Sequence, residues 1–320
     1  MSREALLEAV HAAPDDDEPR RVYADYLLQH GDPRGEFIQL QLTRDKTKDQ
    51  AARERKLFVV HCDAWFDELG AHPRDAVFER GFIAVARPRE RTLRPAPGWA
   101  TVHTLIGAAP LDAVAMPALR TLANLDDAAI AAIAKLTRPL AARELWWMRD
   151  VGNHPNPFTP WATISALPEL RRLMVQRRAY ARERSPADAS WLWTAPCGQR
   201  LESLSINAAP AALRAWQAEI STTAIRRIEV CECDDEDWQT GARYAVERDA
   251  DGKLWFEAYD RSPSSQRGLE DLHGALTGLT GLHGARLTIE RMGERWLNIW
   301  LAQITPWFAA HGVAPVITYV

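Results

Sequence analysis

LRRLMV (170–175), LESLSI (201–206) and IRRIEV (225–230) follow one template. Each places a large aliphatic residue at its first, fourth and sixth positions: Leu170, Leu173 and Val175, then Leu201, Leu204 and Ile206, then Ile225, Ile228 and Val230. The last two alternate with polar residues, the period of a strand with one face buried. Longer, helix-prone sequence separates the runs, as in APAALRAWQAEI (209–220). A short strand followed by a helix cannot bury its apolar face alone; stacked neighbours supply the core. The shared template therefore predicts three parallel, adjacent strands.

Outward from this block, VHTLIG (102–107), LRTLAN (119–124) and RELWWM (143–148) extend the series towards the N-terminus. The starts advance by roughly 17 to 31 residues, close to the period of leucine-rich repeats, and Asn207 keeps the asparagine common after such a strand. LDDAAIAAIAKL (125–136) is a further helix between strands. If template residues point inward, the residues between them face the other side. That face is read as Glu144, Trp146 and Met148, then Arg172, Met174 and Gln176, then Ser203, Ser205 and Asn207, then Arg227 and Glu229. A slip of one residue would exchange Trp146 with Trp147.

Beyond residue 240 the texture changes. ARYAVERDADGKLWFEAYD (242–260) alternates apolar and polar residues around Asp251-Gly252, a hairpin signal. A helix with Leu269, Leu272, Leu276 and Leu279 follows, then a strand LTIE (287–290) and a helix at 294–312 that Pro306 should kink or restart. A last strand, APVITYV, ends the sequence.

At the front, Leu6, Leu7 and Val10 lie at helical spacing behind a capping Ser2. Asp17 is placed to cap a second helix with Val22, Tyr23, Tyr26 and Leu27 on its apolar face. Gly31, Asp32 and Pro33 stop that helix, and a third begins near Gly35. Arg20 or Arg34 is a candidate partner for Asp25. The string PDDDEPRRVYADYLLQHGDPRGEFIQLQ resembles the bacterial repeat-companion domain, over residues 4–42, and FERGFIAVA (78–86) resembles its passage into a first repeat. The resemblance implies a repetitive remainder and carries over no catalytic residue. The chain is thus read as α/β: an N-terminal helical cap (1–75), a degenerate leucine-rich-repeat-like solenoid (76–240) and a C-terminal α/β capping unit (241–320).

Composition narrows the function. The net charge of −4 argues against a dedicated nucleic-acid binder. No apolar run is long enough to cross a bilayer, and no signal-peptide layout opens the sequence, so a cytoplasmic protein is expected. The four cysteines suit reduced, scattered thiols. Cys231 and Cys233 beside Asp234–Asp237 lack a second ligand pair at zinc spacing, and the front aspartates lack a calcium-loop pattern. His61-Cys62 is adjacent in sequence, which on a helix does not make a dyad. No catalytic residue, metal or cofactor is assigned. The expectation is a non-catalytic protein-protein interaction or scaffold module with an unidentified protein partner and no membrane contact. The alternatives are an enzyme or effector using the C-terminal unit, and a nucleic-acid contact through the arginine-rich stretch 171–184.

Overall fold

The computed structural model describes residues 1–90, 93–108, 110, 112–149, 165–177, 198–208, 210–232, 242–260, 266–289 and 294–319. Among them are eight α-helices and twelve strands, so the protein is a mixed α/β structure. It divides into two compact units, Met1–Trp146 with Ile164–Glu169, and Trp147–Thr163 with Leu170–Val320.

The first unit opens with α1 (Arg3–Ala12), whose start is capped by the Ser2 hydroxyl accepting from Ala5 N–H at 3.2 Å. In α2 (Glu18–Gln29) Asp17 holds the N-cap position without a capping bond. Asp16 substitutes: its carboxylate accepts from Glu18 N–H at 3.0 Å, one turn residue earlier than expected. Helix α3 (Pro33–Leu42) starts before Gly35, because Pro33 suits the first helical position and Asp32 accepts from Arg34 N–H at 2.9 Å. Gly35 lies where α3 crosses α2; a Cβ there would sit 2.6 Å from the Ala24 carbonyl oxygen. A capping box of Thr47 and Gln50 starts α4 (Lys48–Asp67).

Strands β1 (Val77–Glu79) and β2 (Phe82–Ala86) are antiparallel, and β3 (Thr104–Ile106) and β4 (Thr121–Leu125) continue from β2 in parallel. Helix α5 (Asp127–Ile133) follows, capped by Asp126. Strand β5 (Glu144–Arg149) starts beside β4, where Arg143 and Glu144 N–H groups donate to the Arg120 carbonyl at 2.8 and 3.0 Å. Leu6, Val10, Tyr23, Ala24, Leu27 and Ile38 form one buried cluster with Phe82, so the front helices and the first strands share a core. Val22, 43% exposed, falls off that face. Gly81, with φ +85°, rests on α3; any Cβ there would overlap Ile38.

In the second unit β6 (Arg172–Arg177), β7 (Ser203–Asn207) and β8 (Arg227–Glu232) are parallel neighbours, the arrangement the shared template requires. Strand β9 (Ala242–Arg248) runs antiparallel to β8 and forms the hairpin with β10 (Leu254–Asp260). Strands β11 (Leu282–Ile289) and β12 (Pro315–Tyr319) then add in parallel. The helices are α6 (Ala212–Thr222), α7 (Gln266–Leu276) and α8 (Glu294–Ala310), the last passing through Pro306 as one element. Leu173, Val175, Leu204, Ile206, Ile228, Val230, Tyr244, Val246 and Phe256 are buried on one face of this sheet, where α6 packs on β8 and β9. At the hairpin turn Asp249 accepts from Asp251 N–H, Lys253 N–H and the Trp255 indole, each at 2.9 Å. The indole bond first, and then the backbone bonds, hold the Asp249 carboxyl below its usual range. Cys231 is buried and disulfide-bonded, which corrects the expectation of four reduced thiols; its partner lies outside the described residues. No helix among the described residues is long and apolar enough to cross a membrane.

Candidate functional site on the open strand face

Alternation along β6, β7 and β8 decides which side chains share the face opposite the core. Backbone register aligns Arg172 with Ser203 and Ser203 with Arg227. It aligns Met174 with Ser205 and Ser205 with Glu229 in the next row. These expected site residues are therefore brought together. Arg172 is exposed, while Met174, Ser203, Ser205 and Arg227 are half-buried. Gln176 and Glu229 are more enclosed than an open face suggests, at 7% and 9% exposure. Asn207 pairs with Cys231 along the backbone, and its side chain lies outside the described residues.

Strand β5 has the unslipped register: Leu145 and Trp147 are buried, and Glu144, Trp146 and Met148 are half-buried between them. The Trp146 indole donates to Glu144 Oε1 at 2.8 Å. Glu144 and Trp146 belong to the first unit and Met148 to the second.

The face continues across β9, β10 and β11, none of whose residues the expected face included. Arg227 is aligned with Glu247, and Glu247 with Trp255. Glu229 is aligned with Ala245, Ala245 with Glu257, and Glu257 with Arg286. Small residues at Ser205 and Ala245 leave room for the long ones. Arg227 donates to Glu247 at 2.8 Å, to Glu229 at 2.9 Å, and to Glu257. Arg286 closes the chain of pairs by donating to Glu257 at 2.7 Å. Two guanidiniums also lie over rings: Arg243 at 4.5 Å from the Tyr259 centroid and Arg286 at 4.3 Å from that of Trp255.

Burial disfavours the charge on Arg227, but bonds from Glu257 and Glu229 outweigh it and raise its pKa. Burial likewise pushes the Glu257 carboxyl up, and Arg227 and Arg286 outweigh that, leaving it below its usual value. A cavity of about 340 Å³ lies over this network, lined by Arg227, Arg243, Arg286, Glu257, Thr288 and Thr318 among others. Its lining offers guanidinium, carboxylate and hydroxyl groups, with no histidine or thiol. Such groups recognise polar partners by hydrogen bonds and charge. The available sequence signal was the polar half of the hairpin, Arg243, Glu247 and Glu257, but only strand pairing reveals that it faces Arg227.

Other residues considered from sequence stand apart. The His61 ring stacks on Trp65 at 5.6 Å, and Cys62 is a free, half-buried thiol on the same helix. Asp15 pairs with Arg120 at 2.7 Å, and Asp17 with Arg80 at 3.4 Å. Asp25 accepts from the Gln39 amide at 2.7 Å; it is not the partner of either arginine, since Arg34 reaches Glu68 and Arg20 donates to the Asp16 carbonyl. Among the described residues no group of three or more His, Cys, Asp or Glu side chains is placed to hold a metal ion. Cys233, Asp234–Asp237, His154 and Arg178–Arg184 lie outside the described residues. Comparison with protein-family models, curated proteins and solved structures finds no match.

Proposed function

We propose that this chain is a non-catalytic interaction module that docks a protein partner on the open strand face of its second unit. The observation that carries the reading is the pair of aligned rows, Arg172–Ser203–Arg227 and Met174–Ser205–Glu229, on three parallel strands whose other face is core. An exposed arginine beside a half-buried methionine is a mixture enriched in protein interfaces. Arg172 is the side chain of that group free to meet a partner carboxylate, whereas Arg227 is already engaged by three glutamates. A degenerate leucine-rich-repeat-like solenoid behind a repeat-companion domain is the architecture this proposal adopts. The parallel strands of shared template and the helical front support it.

The test is capture of a stoichiometric partner from native lysate, followed by titration of the purified partner with wild type, Arg172→Ala and Met174→Ala. Loss of at least tenfold in affinity, with unchanged Tm, supports the face; tenfold corresponds to about 1.4 kcal/mol. Equal affinity in both variants, or no stoichiometric protein partner, overturns the reading.

A further inference from the structure

The first unit carries a second cavity, of about 220 Å³, lined by Arg3, His11, Tyr23, Arg34, Glu68 and Thr101 with apolar walls from Leu7, Phe82 and Ile83. Its surroundings have an uneven charge balance. The buried charged side chains among the described residues of this unit are two arginines, Arg20 at 1% and Arg34 at 7% exposure, and no carboxylate is buried with them. Taking a guanidinium out of water costs free energy unless its donors and charge are met.

What meets them is partial. Arg34 reaches Glu68, a carboxylate 48% exposed, and a distant Gly81 carbonyl at 3.4 Å. Its guanidinium lies against the rings of Phe82 and Trp65, at 5.0 and 5.8 Å. Arg20 donates one bond to the Asp16 carbonyl at 3.0 Å, and its buried Nε has no acceptor. Burial, and secondarily Arg80, pull the Arg20 guanidinium down to about 10. Burial also lowers the His11 imidazole, followed by the charges of Arg34 and Arg20, so this wall of the cavity lies in a positive field. Arg3 adds a third guanidinium at the rim, 51% exposed, paired with Asp32 at 3.0 Å and hydrogen-bonded to the Tyr23 side chain.

We propose that this cavity is a binding site for a small organic anion, a carboxylate or phosphate ester, held between Arg3 and Arg34 with His11 and the Tyr23 hydroxyl as further polar contacts. The volume holds several water molecules at about 30 Å³ each and so admits a metabolite-sized anionic group. Guanidinium is suited to it, because its planar donors meet both oxygens of a carboxylate or phosphate. Phe82, Leu7 and Ile83 would flank the carbon portion. The site lies wholly within the first unit and is independent of the docking face.

The experiment uses the full chain carrying isotope-labelled histidine, with the His11 resonance assigned through His11→Gln. Inorganic phosphate and succinate are titrated separately at constant ionic strength, with chloride as the balancing anion, and Tm is followed in parallel. The expected result is a saturable movement of the His11 resonance and a rise in Tm with one or both probes. Response to phosphate alone assigns a phosphoryl group, and response to succinate alone a carboxylate. Arg3→Gln, at a half-exposed position that leaves the core intact, should weaken binding by about tenfold, as loss of a charge-assisted hydrogen bond does. Tyr23→Phe should weaken it less. No saturable movement of His11 with either probe, or equal binding by wild type and Arg3→Gln, overturns the site.

Discussion

The two units handle arginine in opposite ways. In the first, Arg20 and Arg34 are buried, supported by aromatic rings, a carbonyl and a carboxylate that stays largely in water. In the second, Arg227 remains 30% exposed at its side chain, with Glu229, Glu247 and Glu257 gathered around it. The difference shows that burial alone does not tell what an arginine is worth. Removing a cation costs most where it leaves carboxylates facing one another, and less where its carboxylate can turn to solvent. The first arrangement meets its guanidiniums in part with rings and carbonyls; the second gathers three carboxylates around two guanidiniums.

The largest effect tests whether apolar packing still dominates the first unit despite its buried charge. Leu27 is fully buried among Leu6, Val10, Tyr23 and Ile38. Leu27→Ala should cost about 2–5 kcal/mol through lost transfer energy and a residual cavity. Chemical denaturation checks it, and a stability unchanged within error would mean that the arginines, and not the leucines, hold this core. Next in size is the contrast itself. Arg227→Met should cost about 1–3 kcal/mol at neutral pH, because three carboxylates lose their common donor. Arg34→Met should cost less than half as much, since Glu68 can hydrate and the methionine can lie between Phe82 and Trp65. Equal costs, measured by the same denaturation, would erase the distinction between the two regions.

The same contrast explains what the sequence made legible. Elements with local signals were readable: Ser2 as a cap, Asp251-Gly252 as a hairpin turn, and the repeated template that aligns β6, β7 and β8. The register around Trp146 followed from alternation within one strand. The Arg227 network was not readable, because Glu247 and Glu257 lie 20 and 30 residues away and meet it only through strand pairing. Arg34 lies on α3 and Glu68, 34 residues on, just past the end of α4, which is why local spacing suggested Asp25 instead. Asp16 replacing Asp17 as the donor-meeting carboxylate is a smaller failure: three consecutive aspartates offer no local means of choosing.

The smallest effect concerns pH and sharpens the comparison from the acidic side. Glu257 is held below its ordinary value of 4.5: burial opposes ionisation, but Arg227 and Arg286 outweigh it. The folded carboxyl therefore binds its proton at lower pH than the unfolded one. Its contribution to stability is fully present above the unfolded pKa and is lost as pH falls through the folded pKa. Glu257→Gln removes that dependence while keeping shape and one acceptor oxygen. The stability gap between wild type and Glu257→Gln should be constant from pH 7 to about 5 and should narrow steadily below about 4.5. Other lowered carboxyls, Asp249 among them, remain in the variant and supply the acid sensitivity that it retains. Denaturation midpoints at four pH values decide the matter. A gap that does not narrow in acid would mean that Glu257 draws no net benefit from its two arginines, and the second unit's network would then resemble the first unit's uncompensated charge.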